Sequence, residues 1–313
     1  MKRLFLFLVL PLLISCNSKS GKPAIGFLDL VKDETLDKAR KGFYDALAES
    51  GFDEKNIDII YRNAQGDQPT LLQACDYLIS QDVKLIATNP TLSTITAVQR
   101  TKRIPIFMMV SPRPDIAKLT DSTGKAPENL FGAYETLDYI DTAIFLIKQV
   151  LPNTKTVGTI FNQSEPQSVD ALKRIEDACR AVGIEVIKLP VNNSNETQLV
   201  TQSLLSKKID VFFALPDNTV FSSMEVIVKT CDEAKVPVFT SEEGLVARGA
   251  TAGFGADMYQ WGYQAGKQAA AYLKGKPVSD LKPEIVNVRH RVYNQSKASF
   301  FGITFDSTFT AVK

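Results

Sequence analysis

Short apolar runs alternate with longer segments of helical period along almost the whole chain. The apolar runs predict strands over residues 24–30, 57–64, 83–89, 104–110, 156–161, 184–191, 209–215 and 236–241. In the segments between them apolar residues recur every three or four positions, which predicts helices over residues 36–51, 70–81, 91–100, 169–183, 196–207 and 218–234. This alternation is typical of βα units on a parallel sheet, so the predicted fold class is α/β.

The second half of the chain repeats the order of elements of the first half. The segment KLIATNPTLSTITAVQRTKRIPIFMMVS can be laid beside DVFFALPDNTVFSSMEVIVKTCDEAKVPVFTS. In both, an apolar strand ends in a polar turn with a proline, a helix rich in hydroxyls follows, and a strand with an internal proline ends in serine. This repetition predicts two similar lobes, each a parallel sheet flanked by helices. The alternative is that the similarity does not indicate a repeat, because any two α/β stretches look alike when only the order of their elements is compared.

Passages rich in glycine, proline and polar residues indicate where the chain passes between the lobes. Residues 120–136 form one such passage, and a Gly-rich passage before residue 258 precedes a helix that Gly275 ends. We therefore assign residues 24–132, with about 258–285, to an N-terminal lobe. Residues 133–257, with about 286–313, are assigned to a C-terminal lobe.

The first sixteen residues predict export and lipid attachment. Lys2 and Arg3 precede the apolar run LFLFLVLPLLI, which is too short for a comfortable membrane span and contains a proline. The run ends in Leu-Ile-Ser-Cys, which resembles the bacterial lipobox, so Cys16 is predicted to carry lipid after removal of residues 1–15. Residues 16–23 would then be a polar tether. The alternatives are an uncleaved anchor helix and an incidental cysteine.

Composition and charge exclude several classes of protein. Hydrophobic residues make up 44% and charged residues 23% of the 313 positions, which is typical of a globular protein large enough for two domains. The 36 basic and 35 acidic residues leave a net charge of +1, and the chain contains no long basic run. Nucleic acid is therefore not an expected partner.

Three further cysteines lie in segments of helical period. The spacings of Cys75, Cys179 and Cys231 match neither a metal site nor a redox pair, so we interpret them as small buried residues. Their odd number argues against a complete disulfide framework. The alternative of a single disulfide bond between two of them remains.

A ligand is expected at the loops that follow the predicted strands. In open α/β sheets ligands bind at the carboxyl ends of the strands, beside helix N-termini. These loops bring together amides, hydroxyls and acids: Asn89, Thr91, Ser93, Ser111, Asn162, Ser164, Glu165, Ser168, Asp217, Asn218, Glu242 and Asp257. The set suits a small zwitterion, because hydroxyls and helix N-termini can hold a carboxylate. Asp217, Glu165 or Asp257 can hold an ammonium group.

Several of these residues also have a purely structural interpretation. Ser93, Ser168 and Asn218 stand where helices are predicted to begin. The alternative for these three is that they cap the helices and do not bind a ligand. Glu242 and the adjacent Glu243 can simply be solvated.

The sequence carries no recognised catalytic motif. A GxSxG elbow, a P-loop and HExxH are absent, and GFGAD does not make a dinucleotide fingerprint. The only histidine, His290, lies in the strand-like VNVRHRV, away from the ligand loops in the predicted strand order. We interpret His290 as a strand or surface residue, and we predict no enzymatic activity, no cofactor and no metal.

Several segments of the sequence, taken together, resemble those of a known protein family. The matching segments are TLDKARKGFYDAL, YRNAQGD, LIATNPT, IPIFMMVSP, LPNTKTVGTIFNQSEPQSV, LPDNTVFSS, AKVPVFTSEEG and GADMYQWGYQAGKQAAAYLKG. From residue 24 to about 305 the chain is similar to the ABC-transporter substrate-binding lipoproteins of the tryptophan/tyrosine type, which have the type I periplasmic binding protein fold. The resemblance implies two lobes joined by a hinge that the chain crosses three times.

The resemblance also implies a function and a set of ligand contacts. A small ligand, an amino acid and possibly an aromatic one, would bind between the lobes and pass to a membrane permease with its ATPase, outside the cytoplasm. Carried over by position, the contacts fall on Asn89, Thr91, Ser111, Asn162, Glu165, Ser168, Asp217, Asn218 and Asp257. The chain departs from the family where it has NPTLST and Ser111-Pro112, both in the expected pocket, so the aromatic preference depends on these positions. The alternatives are a binding protein that signals to a membrane receptor and an enzyme on the same fold.

Overall fold

Helices and strands alternate through the part of the chain that the computed structural model describes, residues 22–286 and 288–312. The strands are β1 (Ala24–Asp29), β2 (Asp58–Asn63), β3 (Ile86–Asn89), β4 (Ile106–Met108), β5 (Leu130–Tyr134), β6 (Thr156–Phe161), β7 (Glu185–Pro190), β8 (Val211–Ala214), β9 (Val238–Glu242), β10 (Ala252–Ala256), β11 (Glu284–Ile285), β12 (Arg289–Asn294) and β13 (Thr310–Val312). The helices are α1 (Glu34–Glu49), α2 (Gln68–Ser80), α3 (Thr91–Arg100), α4 (Tyr139–Val150), α5 (Pro166–Ala181), α6 (Thr197–Leu205), α7 (Asn218–Ser222), α8 (Met224–Glu233), α9 (Glu243–Ala247), α10 (Met258–Leu273) and α11 (Gln295–Phe301).

The strands form two separate sheets, which confirms the predicted α/β fold class with two lobes. The first sheet has the order β11-β5-β4-β3-β1-β2, and all its strand pairs are parallel. The second has the order β13-β12-β10-β9-β8-β6-β7, in which only β10 and β12 run antiparallel. We call the first sheet with the helices that pack on it the N-terminal lobe, and the second the C-terminal lobe.

The chain passes between the two sheets three times. It leaves the first sheet after β5, which runs to Tyr134 and so past the predicted boundary at residue 132, and enters α4, which packs on β9, β10 and α5. It returns between β10 and α10, because α10 packs on α1, β4 and β5. The last passage lies between β11 and β12. These three crossings are the expected hinge segments.

Two of the helices are packed so closely that only glycine fits between them. A Cβ placed on Gly262 of α10 would lie 1.7 Å from the carbonyl oxygen of Ala39 in α1, and one on Gly42 would lie 2.1 Å from the oxygen of Tyr259. The close contact joins an early helix to one that follows the second sheet, so the two ends of the N-terminal lobe are held together.

Local signals explain most element boundaries. Aspartate carboxylates accept hydrogen bonds from the first free N–H groups of α1, α2, α7 and α10, at Asp33, Asp67, Asp217 and Asp257. One predicted element is wrong, since the single helix expected over residues 218–234 is two helices. The backbone of Ser223 leaves the helical conformation between α7 and α8.

The structure answers the question about the three cysteines outside the N-terminal segment. Cys75, Cys179 and Cys231 are buried and free, as small core residues would be. Burial raises the pKa of the Cys75 and Cys179 thiols to about 12. Cys16 and the predicted signal peptide lie outside the described residues. Within those residues we find no helix of sufficient length and apolarity for a membrane span.

Candidate ligand-binding cleft

The carboxyl ends of the strands of both sheets face one another across a cleft. A cavity of about 450 Å³ lies on one flank of this cleft, within the range of about 300–1,000 Å³ that is usual for small-molecule sites. Its walls come from both lobes: Leu30, Val31, Gln65, Gly66, Asp67, Gln68 and Leu92 on one side, and Asn162, Ser164, Glu165, Asn192, Asn193, Ser194, Asn218, Thr219 and Ser222 on the other. Both lobes therefore contribute residues to this cavity, which is the first requirement of a site shared between them.

Asp217 is the centre of a buried polar network in the C-terminal lobe. Its Oδ1 accepts hydrogen bonds from the backbone N–H groups of Thr219 (2.8 Å) and Val220 (3.0 Å), which cap α7. Its Oδ2 accepts from the N–H of Asn162 (2.7 Å) and from the hydroxyl of Ser168 (2.6 Å). With a side chain that is 1% exposed, Asp217 thus ties the loop after β6 to the loop after β8.

Glu165 reaches from this network to the wall of the cavity. Its Oε2 accepts from the backbone N–H (2.9 Å) and the side-chain Nδ2 (2.7 Å) of Asn218, and from the amide of Gln167. Burial, together with the nearby Asp217 carboxylate, raises the pKa of Glu165 to about 8. Glu165 is therefore mostly protonated at neutral pH in this structure, and a cationic ligand would favour its ionised form.

We expect the free energy of unfolding to fall as the pH rises from about 4.5 to about 8. Over this range the unfolded chain loses the Glu165 proton while the folded chain keeps it, so folding binds a proton and stability decreases by up to about 1.4 kcal/mol per pH unit. The Glu165→Gln variant, which keeps the side-chain shape, should show a smaller slope. Urea unfolding at several pH values measures both, and equal slopes for the two proteins would contradict the assignment.

The predicted residues of the N-terminal lobe are also buried at strand ends. Asn89 donates from Nδ2 to Asp29 Oδ1 (2.9 Å) and to the oxygen of Leu36 (3.2 Å), and its own Oδ1 has no hydrogen-bond partner among the described residues. Thr91 donates to the oxygen of Val110 (3.4 Å), which places it beside Ser111. The three residues therefore lie on adjacent loops, after β3 and β4.

A second buried acidic group lies at the hinge, where the sequence analysis had named Glu242 but neither Glu135 nor Arg289. Glu242, at the end of β9, accepts a hydrogen bond from the hydroxyl of Tyr139 (3.0 Å), and Glu135, just after β5, accepts from Arg289 (2.7 Å). Burial raises the pKa of Glu242 well above its usual range. Oε2 of each glutamate and Nε of Arg289 are buried without a hydrogen-bond partner among the described residues. These three atoms are free to bind a small polar group.

The structure brings some of the predicted site residues together and separates others. Asn162, Glu165, Ser168, Asp217 and Asn218 belong to one hydrogen-bonded network. Asp257 lies apart from it, at a hinge crossing, where its Oδ1 caps α10 through the N–H of Gln260 (3.1 Å).

Several of the interpretations from the sequence are wrong. Ser168 does not cap α5, because the helix begins at Pro166 and the Ser168 hydroxyl binds Asp217 instead. Glu242 is not solvated, since it is 1% exposed. His290 does not lie away from the ligand loops, because β12 runs antiparallel to β10 and so brings its first residues to the carboxyl edge of the sheet.

Direct contacts between the lobes close the cleft on the side of α1 and α9. Arg248, after α9, forms an ion pair with Asp33 at the start of α1 and also binds Glu225 (2.7 Å). Gly244 of α9 packs against Thr35, which is fully buried, so closely that a Cβ on the glycine would lie 2.4 Å from Thr35 Cγ2. The lobes are therefore in contact at this point, and their separation would have to break both interactions.

Comparison with known families accounts for this architecture. The family model described as ABC transporter substrate binding protein matches residues 24–311. The chain belongs to this family. A tyrosine-binding protein of Clostridioides difficile (strain R20291) is 36% identical to this substrate-binding protein over 280 residues, covering 89% of this chain and 80% of the relative.

Two solved structures resemble this substrate-binding protein over most of its length. An ABC domain from Streptococcus pneumonia in complex with L-Trp superimposes with a TM-score of 0.84 at 26% identity, covering 91% of this chain and 96% of that one. A ligand-free, open substrate-binding protein with adhesive properties from Clostridium difficile gives a TM-score of 0.68 at 32% identity, covering 93% and 99%. The chain thus superimposes better on the structure with L-Trp than on the ligand-free, open one, although its sequence is less similar to the former.

Proposed function

We propose that this substrate-binding protein holds an amino acid with an aromatic side chain between its lobes and delivers it to an ABC permease and its ATPase. The observation that carries the proposal is the set of buried polar atoms at the hinge end of the cleft that have no hydrogen-bond partner among the described residues. Oε2 of Glu135 and Oε2 of Glu242 come from different lobes, and carboxylate oxygens of this kind bind an ammonium group through charge-assisted hydrogen bonds.

The same region offers a partner for the carboxylate of such a ligand. Nε of Arg289, which has no partner in the described part of the chain, is a donor, and the helix N-termini at the strand ends supply further N–H groups. The relatives support the amino acid class, since one is named a tyrosine-binding protein and the other was solved with L-Trp. The nine ligand contacts predicted from the sequence stay predictions within this proposal: Asn89, Thr91, Ser111, Asn162, Glu165, Ser168, Asp217, Asn218 and Asp257.

Thermal unfolding of the full-length protein in detergent, with each of the twenty L-amino acids in turn, tests the ligand class. We expect L-tyrosine and L-tryptophan to raise the melting temperature, because a ligand that binds only the folded state stabilises it in proportion to the logarithm of its concentration over Kd. N-acetyl-L-tyrosine, which lacks the ammonium group, is the matched control and should have little effect. Equal stabilisation by the acetylated compound would contradict the role of the carboxylates, and no stabilisation by any amino acid would contradict the ligand class.

The lipid anchor is a separate part of the proposal and rests on the order of charge, apolar run, serine and Cys16 at the N-terminus. We expect the wild-type protein to carry lipid and to sediment with membranes. The Cys16→Ser variant should carry no lipid and should be lost from the lipidated fraction. Fractionation of cells that express each protein measures this. Lipid labelling that persists in Cys16→Ser would contradict the assignment.

A further inference from the structure

A cluster of three possible metal ligands lies at the hinge, apart from the network around Asp217. Glu243 is the first residue of α9, Asp257 stands at the crossing between β10 and α10, and His290 is near the start of β12. One ligand atom from each lies within 4.8 Å of the other two, and His290 Nδ1 is 2.8 Å from Glu243 Oε2. The three residues are far apart in sequence, so only the fold brings them together.

The chemistry of this set suits a divalent transition metal. Imidazole nitrogen and carboxylate oxygen bind zinc at about 2.0–2.2 Å, and two such ligands on one tetrahedral ion lie about 3.4 Å apart. The side chains of His290 and Glu243 are 45% and 30% exposed, which leaves them room to make this adjustment. Asp257 uses one carboxylate oxygen to cap α10, and its other oxygen remains for an ion.

Charge favours a cation at the same place. Two carboxylates converge there, and neither forms an ion pair with a lysine or arginine of the described part of the chain. The two arginines next to His290 in sequence are directed elsewhere: Arg289 to Glu135 and to the ring of Tyr139, and Arg291 to the hydroxyl of Thr308. The cluster therefore carries a net negative charge when His290 is neutral, which is the form of histidine that binds metals.

We propose that Glu243, Asp257 and His290 bind one divalent transition-metal ion at the hinge, with water completing the coordination. The ion would join α9 to two of the three crossings, because Asp257 lies on one and its backbone N–H donates to the oxygen of Val288 on another (3.1 Å). Bound metal would thus restrain the segments that must rotate when the lobes open. The proposal does not depend on which amino acid the cleft takes, but it assigns Asp257 to the ion and not to that amino acid. The competing interpretation is an ordinary ion pair between His290 and Glu243.

The single histidine of the chain makes the test direct. Full-length protein without a histidine tag, labelled with ¹⁵N-histidine and held in detergent, is titrated with Zn²⁺ and followed through its one imidazole. We expect the ring nitrogen resonance to shift and to saturate at one ion per chain. An imidazole that does not respond to millimolar Zn²⁺ would overturn the proposal.

Variants separate a built site from adventitious binding. His290→Ala, Glu243→Gln and Asp257→Asn should each weaken zinc binding at least about tenfold in calorimetry. Asparagine is as good an N-cap as aspartate, so Asp257→Asn removes a ligand charge without removing the cap of α10. Glu185→Gln changes an exposed carboxylate on β7, at the other side of the same sheet, and should leave binding unchanged. Equal affinity in the wild type and the three site variants would show that the ion binds elsewhere.

Discussion

Replacing Gly244 with valine is expected to keep the two lobes of the substrate-binding protein apart. A Cβ at this position would lie 2.4 Å from Cγ2, 2.8 Å from Oγ1 and 3.0 Å from Cβ of Thr35, and a real Cβ essentially never comes closer than 3.0 Å to a nonbonded atom. Thr35 is fully buried in the first turn of α1, which leaves its short side chain little space to move into. The lobes must therefore separate, and the Asp33–Arg248 ion pair beside this contact must lengthen with them.

Such separation should weaken ligand binding at least about 100-fold, because a ligand held by both lobes loses one set of contacts when they cannot close. Small-angle X-ray scattering of the ligand-free and ligand-bound protein measures the shape, and calorimetry with L-tyrosine or L-tryptophan measures the affinity. The radius of gyration should be larger than that of the wild type under both conditions. An unchanged shape would show that the contact does not control closure.

A pair of smaller substitutions provides the matched control. Gly244→Ala should have a weaker effect of the same sign, and Thr35→Ala in the same chain should restore part of the affinity, because it removes the two atoms closest to the new methyl group. Alanine is a better helix former than glycine, so Gly244→Ala should not lower the stability of α9 itself. Affinity that Thr35→Ala restores was lost because the lobes were held open, whereas affinity lost through unfolding would not be restored.

Replacing Asp217 with alanine is expected to cost roughly 3–5 kcal/mol of the free energy of unfolding. The substitution leaves four donors without their acceptor, namely the N–H groups of Asn162, Thr219 and Val220 and the hydroxyl of Ser168. A buried donor without a partner costs about 1–3 kcal/mol, although local rearrangement recovers part of this sum. Urea unfolding followed by circular dichroism measures the change.

Asp67 provides the control for this experiment. It also caps a helix, but it lies at the surface, where water can replace it as the acceptor for Thr70. Asp67→Ala should therefore cost only about 1 kcal/mol. If Asp217→Ala costs no more than Asp67→Ala, the buried network does not hold the loops after β6 and β8 together.

Local patterns in the sequence predicted the fold well because each strand and helix carries its own signal. The bounds of α3 and β6 agree with the prediction residue for residue, since a turn and a change of period mark both ends. The loop after β6 was predictable for the same reason, as polar residues directly follow a buried strand. The interruption of the helix at Ser223 has no such signal, because the apolar period continues through it.

The contacts between the hinge residues could not be predicted in this way. Glu242 and Tyr139 are 103 positions apart, and Glu135 and Arg289 are 154 apart, so only the assembled lobes show that they meet. A glutamate at the end of a strand looks the same in sequence whether it is solvated or buried. His290 was misplaced because its location depends on the antiparallel direction of β12, which the pattern of apolar residues does not reveal.

The interleaving of the two lobes along the chain has a consequence for how the molecule reaches its folded state. The N-terminal lobe needs α10 and β11 to cover α1 and to complete its sheet, and these elements come after almost the whole C-terminal lobe. The C-terminal lobe in turn needs β12 and β13. Neither lobe can be finished until nearly all of the chain is available, and contacts between such distant segments are slow to form. We therefore expect this protein to fold late, as one cooperative unit, and to stay open to chaperones and proteases until its last strands are in place.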